Sequence, residues 1–202
     1  SWSPMRSWDL SRIIGLYGKM YTGKSTIAAR IKASNPGQVV VMSFAAKLRQ
    51  VLKDLHIPES RGSLQKVGQG LRNLNPDVWV DAVRPEVDES LSLGNVVVFD
   101  DLRYPNEFDY IKNLGGLLVK LSTDIDERWR RYGTSSKFDS SVTKETWLHQ
   151  QGHVSETILD AESLNWNLEL DTTNTTQEGL GSIADSLVIS VGAVHPYDGR
   201  YR

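Results

Sequence analysis

The segment Gly18-Lys19-Met20-Tyr21-Thr22-Gly23-Lys24-Ser25-Thr26 does most to limit what this chain can fold into. Gly18, Gly23, Lys24 and Ser25 match the spacing G-x-x-x-x-G-K-[ST] at every fixed position. The apolar run Ile13-Ile14-Gly15-Leu16-Tyr17 comes just before it, and residues 25–33 have helical composition just after. A strand, a glycine turn and a helix in that order let backbone N–H groups curl around one anion, with the positive end of the helix dipole aimed at it. In such a loop the lysine, here Lys24, reaches the β- and γ-oxygens of a nucleoside triphosphate, and the Ser25 hydroxyl is a ligand for Mg²⁺. The whole stretch, with Lys19, Met20, Tyr21, Thr22 and Thr26, reads as the segment that holds ATP. Lys19 stands at a variable position, where it either adds charge near the phosphates or points to solvent.

The rest of the chain repeats the strand–helix alternation. Residues 39–44, 95–101, 117–121 and 168–171 read as further short strands, rich in Val, Leu and Phe. Helical patterns cover residues 45–55, 64–71 and 78–91, and another runs to about residue 114, where two glycines stop it. Apolar strands alternating with helices imply an α/β fold, a P-loop three-layer sandwich whose five parallel strands carry helices on both faces. Residues 1–12 read as an irregular lead-in, 13–190 as the main domain, and 191–202 as a tail. Within the domain, residues 45–92 form a helical region. Residues 123–165 form a polar, arginine-bearing excursion of the kind that serves as a lid.

Composition narrows the function classes. At 202 residues the chain is long enough to bury a proper core. A net charge of -2 provides no global field for nucleic acid or an anionic membrane, so neither is expected as a partner. The sequence has no cysteine, which excludes disulfides, thiolate metal sites and cysteine nucleophiles. No apolar run approaches the ~18 residues of a membrane span, and the first eight residues lack a signal-peptide core. The expected location is the cytoplasm.

A phosphate loop can hold, hydrolyse or transfer. An Asn-Lys-x-Asp guanine motif is absent from the sequence, which argues against a GTPase. Residues 96–99 deliver Asp100 and Asp101 at the end of an apolar strand, where an acid meets the nucleotide's metal. Alternation puts the two on opposite faces, and which one faces the metal stays open; both could instead cap the following turn. Arg128 and Arg131, three apart on one helix face, are suited to neutralise charge on a phosphoryl group in transit; as a solvated charged helix face the same run would be ordinary. An acceptor that is itself a phosphate monoester needs no strong base; it needs cations that bring two anions together.

Several further segments occur in order: 43–48 (Ser-Phe-Ala-Ala-Lys-Leu), 64–68 (Leu-Gln-Lys-Val-Gly) with Arg72, Asp77 and Trp79, 101–107 (Asp-Leu-Arg-Tyr-Pro-Asn-Glu), and 153–156 (His-Val-Ser-Glu). Together with the phosphate loop they resemble the bacteriophage-type deoxynucleoside monophosphate kinases, over about residues 13–180. The resemblance implies transfer of the γ-phosphate of ATP to a dNMP with Mg²⁺, for phage DNA precursor synthesis in a host cytoplasm. It implies catalytic roles for Lys24, Asp101, Arg128 and Arg131. It places Phe44, Ala45, Arg72, Asp101, Arg103, Trp147 and Glu156 at the acceptor, and Ser25 with Asp100 at the metal. It leaves base preference and a homodimer open. Trp79 reads as core more than as a base platform, His153 as a hydrogen-bonding group, and Asn106 and Glu107 as helix-starting residues. The sequence departs from the family pattern after the fourth strand, where residues 120–123 carry no arginine. Two rival readings stand: a P-loop kinase for a hydroxyl acceptor such as dephospho-coenzyme A, and an ATP-binding regulatory or assembly module.

Overall fold

A computed structural model describes residues 11–151, 158–160 and 163–192. In chain order the elements are β1 (Ile13–Tyr17), α1 (Lys24–Ser34), β2 (Val39–Met42), α2 (Phe44–Asp54), α3 (Arg61–Leu74), α4 (Val78–Ser92), β3 (Val96–Phe99), α5 (Pro105–Asn113), β4 (Leu117–Ser122), α6 (Ile125–Gly133), α7 (Lys144–Gln150), β5 (Leu168–Asp171) and α8 (Gln177–Ser190). The five strands make one sheet in the order β2-β3-β1-β4-β5, and every neighbouring pair runs parallel.

The order follows from the apolar runs. β1 and β3 are buried along their whole length, as central strands covered on both sides must be. Alternation then divides their side chains between two cores. Ile14 and Leu16 pack with Ile27 and Ile31 of α1 and with Leu180 and Leu187 of α8. Ile13, Val97 and Phe99 pack with Val83 and Val87 of α4 and with Phe108 and Ile111 of α5. The result is the α/β sandwich with helices on both faces that the alternation predicts.

Local chemistry moves some boundaries. Phe44 begins α2 instead of ending β2, because the Ser43 side chain accepts a hydrogen bond from the Ala46 N–H and starts the helix there. Asp77 precedes α4 but makes no capping hydrogen bond; its Oδ1 accepts from Asn106 Nδ2 at 3.1 Å. α8 has no counterpart among the helices read from the sequence. Its signal is Leu180, Ala184, Leu187 and Val188, an i, i+4, i+7, i+8 stripe that packs on α1, started by Thr176 accepting from the Gly179 N–H. Among the described residues no helix is long and apolar enough to cross a membrane.

Candidate functional site

The phosphate loop leaves the C-terminal end of β1 and ends where α1 begins. Tyr21 takes a positive φ of 65° and Gly23 one of 106°. Gly23 is needed for that turn, since L side chains rarely adopt such a φ. Gly18 is needed for space, because a Cβ there would stand 2.6 Å from Thr22 Oγ1 and 2.7 Å from Leu121 O. Inside the loop Thr22, 1 % exposed, donates to Lys19 O at 2.8 Å. Lys24 Nζ donates to Gly18 O and to Lys19 O, which folds the ammonium back over the loop. Lys19 reaches out of it, with Nζ 3.7 Å from Asp160, whose other oxygen lies 3.5 Å from Lys120 Nζ. Of the two readings open for Lys19, the structure thus has its charge paired at the loop's rim.

β3 ends at Phe99, and the two acids beyond it separate. Asp101 turns to the start of α2: Ser43 Oγ donates to it at 2.6 Å, and the N–H groups of Ala45 and Phe44 at 3.0 and 3.2 Å. Asp100 feels the charge of Lys24 in the phosphate loop. Burial and then the charge of Asp101 push its carboxyl above the usual carboxylate range, against the opposing charge of Lys24. Among the described residues no cluster of three or more His, Cys, Asp or Glu is gathered for a metal ion. A nucleotide-borne Mg²⁺ needs no such cluster, since phosphate oxygens and water fill most of its positions. Asp100, within the field of Lys24, and the hydroxyl of Ser25 are oxygen donors of the kind such an ion takes.

A cavity of about 800 Å³ opens beside these acids. The phosphate loop contributes Met20 and Tyr21, α2 contributes Phe44, Ala45 and Leu48, and α3 contributes Arg61, Gln65, Gln69 and Arg72. Asp101, Arg103, Tyr104 and Glu107 form the wall next to β3, and Trp79 closes part of the floor. Phe44 is held there by stacking on Phe99, ring centroids 4.4 Å apart. Trp79 is buried, as a core residue should be, yet it also lines the cavity, and its Nε1 donates to Gly68 O at 3.3 Å. The Arg72 guanidinium lies 3.7 Å from the centroid of the Tyr104 ring and 3.8 Å from Glu107. The sequence marks Gln65 only within the segment 64–68, as a helix-packing residue, and does not single out Arg61 or Gln69, although with Arg72 all three recur at helical spacing on one face of α3.

The far wall comes from the region read as a lid. Tyr132, Lys137, Trp147, Gln150 and Gln151 line the cavity there. Trp147 sits in an aromatic cluster with Trp129, Tyr132 and Tyr21, centroids 5.5, 5.8 and 6.4 Å away. Arg128 and Arg131 are not among the cavity-lining residues. Arg128, 4 % exposed, lies over Trp147 at 5.5 Å and donates to Gln151 Oε1 at 3.4 Å. Arg131 donates to Thr172 O at 2.6 Å and to Tyr21 O at 3.0 Å, which ties α6 to the phosphate loop and to the turn after β5. Glu127 accepts from Arg130 and from Arg131, an arrangement that holds its carboxyl down to about 2. The expectation that both arginines aim at the transferring group is therefore not met by this arrangement: carbonyls and an aromatic ring satisfy them first. Glu156, His153 and the tail from residue 193 lie outside the described residues.

No family model and no curated protein matches this sequence. Among solved structures, a sugar kinase from Janibacter sp. HTCC2649 is similar over 91 % of this chain and 98 % of its own, with TM-score 0.53 and 14 % identity. At that identity the likeness carries the architecture and not the acceptor. The protein APE1195 covers 89 % of this chain and 95 % of its own at 19 % identity, with a TM-score of 0.46, too loose to add to that.

Proposed function

We propose that the protein is a small-molecule kinase that transfers the γ-phosphate of ATP to a deoxynucleoside 5'-monophosphate. One observation carries the reading: a single cavity joins the apex of the phosphate loop to Arg72 and Arg103 on its opposite wall. Two anions can thus be brought together, each with its own cations. Residues 18–26 hold the triphosphate, with Lys24 turning from the loop carbonyls to the β- and γ-oxygens. Ser25 and Asp100 would hold a nucleotide-borne Mg²⁺, which would supply positive charge against the phosphoryl group in transit. Arg72 takes the acceptor's phosphate, and Arg103 adds a cation between the two. An acceptor phosphate oxygen forms the new bond to the γ-phosphorus as the bond to the β–γ bridging oxygen breaks and ADP leaves with its electron pair.

Asp101 serves this reaction by position. Its oxygens are engaged by Ser43, Phe44 and Ala45, so it fixes the start of α2 and with it the wall formed by Phe44 and Ala45. Trp147 and Phe44 provide apolar surface for a base, and the amides of Gln65 and Gln69 provide donors and acceptors for its edge. Arg128 and Arg131 hold the lid base and the phosphate loop together; any direct contact with the phosphoryl group requires them to leave their present partners.

A second reading has one observation in its favour. The raised carboxyl of Asp100 suits a base that takes a proton from a hydroxyl acceptor, as a sugar or dephospho-coenzyme A would require. The two are separated by incubating the protein with Mg·ATP and, in turn, each of the four canonical dNMPs, dephospho-coenzyme A and simple sugars, following ADP and the phosphorylated product. The proposal expects ADP and dNDP in equal amounts with at least one dNMP. ADP release that no monophosphate raises above the acceptor-free rate would remove it.

A further inference from the structure

Glu107 is the third residue of α5, and its side chain reaches back to the loop before the helix. Oε2 accepts from the Arg103 N–H at 2.9 Å and more weakly from the Tyr104 N–H at 3.4 Å. Capping of this kind is ordinary, but a glutamine caps equally well and carries no charge. Here a carboxyl does it at 2 % exposure, in the wall of the acceptor cavity. Burying an ionisable group there is unfavourable unless something uses its charge. The other oxygen, Oε1, lies 3.8 Å from Arg72, whose side chain is 19 % exposed and also lines the cavity. Arg72 is held from its other side by the Tyr104 ring. Glu107 thus adjoins both parts of the cationic wall, with Oε1 facing Arg72 and Oε2 holding the backbone of the Arg103 segment.

We propose that Glu107 is a positioning residue for the acceptor: it competes with the incoming phosphomonoester for Arg72 and so sets how tightly that substrate class is held. The inference rests on the reading of the cavity as an acceptor site. A neutral Glu107 keeps Arg103 and Tyr104 in place but leaves the Arg72 charge for the substrate's phosphate. An ionised Glu107 pairs with Arg72 and also repels that phosphate.

The surroundings set which form is present. Burial, and then the charge of Asp101, push the Glu107 carboxyl up to about 8, against the N–H of Arg103, the charge of Arg72 and the N–H of Tyr104. Just before α4, Asp77 is engaged by Asn106, and from α4 Arg84 lies over the Tyr110 ring, 5.0 Å from its centroid. β1 and β4 present apolar side chains beneath α5, Ile13 and Leu118 among them. The sign follows directly: because the carboxyl is raised, the neutral, substrate-accepting form prevails below about pH 8, and affinity is lost as pH rises through that value.

The experiment is equilibrium binding of a dNMP, followed calorimetrically from about pH 7 to 9.5, where the ligand's phosphate stays dianionic. Wild-type affinity should fall by at least tenfold over that range, and Glu107→Gln, neutral throughout, should bind with nearly constant affinity. The wild-type profile alone decides the matter if the variant does not fold, since a flat profile overturns the proposal. So does a decline of equal size in Glu107→Gln. If neither protein binds any dNMP at any pH, the proposal falls together with the reading of the cavity, and that outcome is distinct from binding without pH dependence. A carboxyl ¹³C titration adds a readout that simple capping would not move. The Glu107 midpoint should rise when the dNMP is bound and rise again in Arg72→Gln, and an unchanged midpoint in both overturns the link.

Discussion

Replacing Arg131 by alanine separates two roles for the α6 arginines. Arg131 Nη2 donates to Thr172 O at 2.6 Å and Nη1 to Tyr21 O at 3.0 Å, with longer contacts at 3.4 Å to Thr172 Oγ1 and Thr175 O. The side chain is 12 % exposed. A hydrogen bond from a charged donor contributes about 1.5–3 kcal/mol, and a carbonyl left without a partner carries a similar penalty. The pair with Glu127 adds little, since Glu127 keeps Arg130. Two short bonds at that scale give about 3–6 kcal/mol, which water entering the gap reduces to about 2–4. At 2–4 °C per kcal/mol for a domain of this size, Tm should fall by roughly 5–15 °C. Urea unfolding of wild type, Arg131→Ala and Arg131→Lys measures this; lysine keeps the charge but cannot span both carbonyls, and should recover only part of the loss. The KM for ATP should rise more than kcat falls, because Tyr21 stands in the phosphate loop, which holds the triphosphate in the proposed reaction. A stability change below about 1 kcal/mol combined with a hundredfold fall in kcat at unchanged KM would refute the reasoning. Arg131 would then act on the transition state, as the sequence-based expectation has it.

Lys24→Ala should abolish transfer while leaving the melting temperature within a few degrees of wild type, since its hydrogen bonds to Gly18 O and Lys19 O lie within one surface turn; a scan and an ADP-release assay check both halves. Gly18→Ala should lose nucleotide binding together with about 1–3 kcal/mol of stability, because Leu121 O belongs to β4 and cannot retreat from the new Cβ. Binding of a fluorescent ATP analogue and thermal unfolding measure the two effects, and wild-type binding by the variant would show that the loop tolerates the methyl group.

Some of the site was readable residue by residue. Lys24 and Ser25 follow a glycine spacing whose chemistry is local, so the strand–loop–helix around them could be read without knowing any neighbour. Phe44, Ala45, Arg72, Asp101, Arg103 and Trp147, quoted from scattered segments, do come together around one cavity. Arg128 and Arg131 were readable as a pair on one helix face and not in their direction. A guanidinium goes to whichever carbonyls and rings lie nearest, and here those belong to Tyr21, Thr172 and Trp147, distant in sequence. Glu107 was readable as a helix starter, and only its distance to Arg72, 35 positions earlier, gives it a second task.

By itself the sequence determined the architecture. Apolar runs of four to six residues alternating with amphipathic stretches admit little besides a parallel sheet between two helical layers, and a glycine-rich turn after the first strand can cradle only an anion. The tertiary structure alone decided the electrostatics. Asp100 and Asp101 are neighbours in the chain, yet one feels the charge of Lys24 and the other accepts hydrogen bonds from the start of α2. Whether a carboxyl is buried, which cation answers it and how much charge it keeps depend on distances across elements, because Coulomb energy scales with separation and surroundings and not with sequence position.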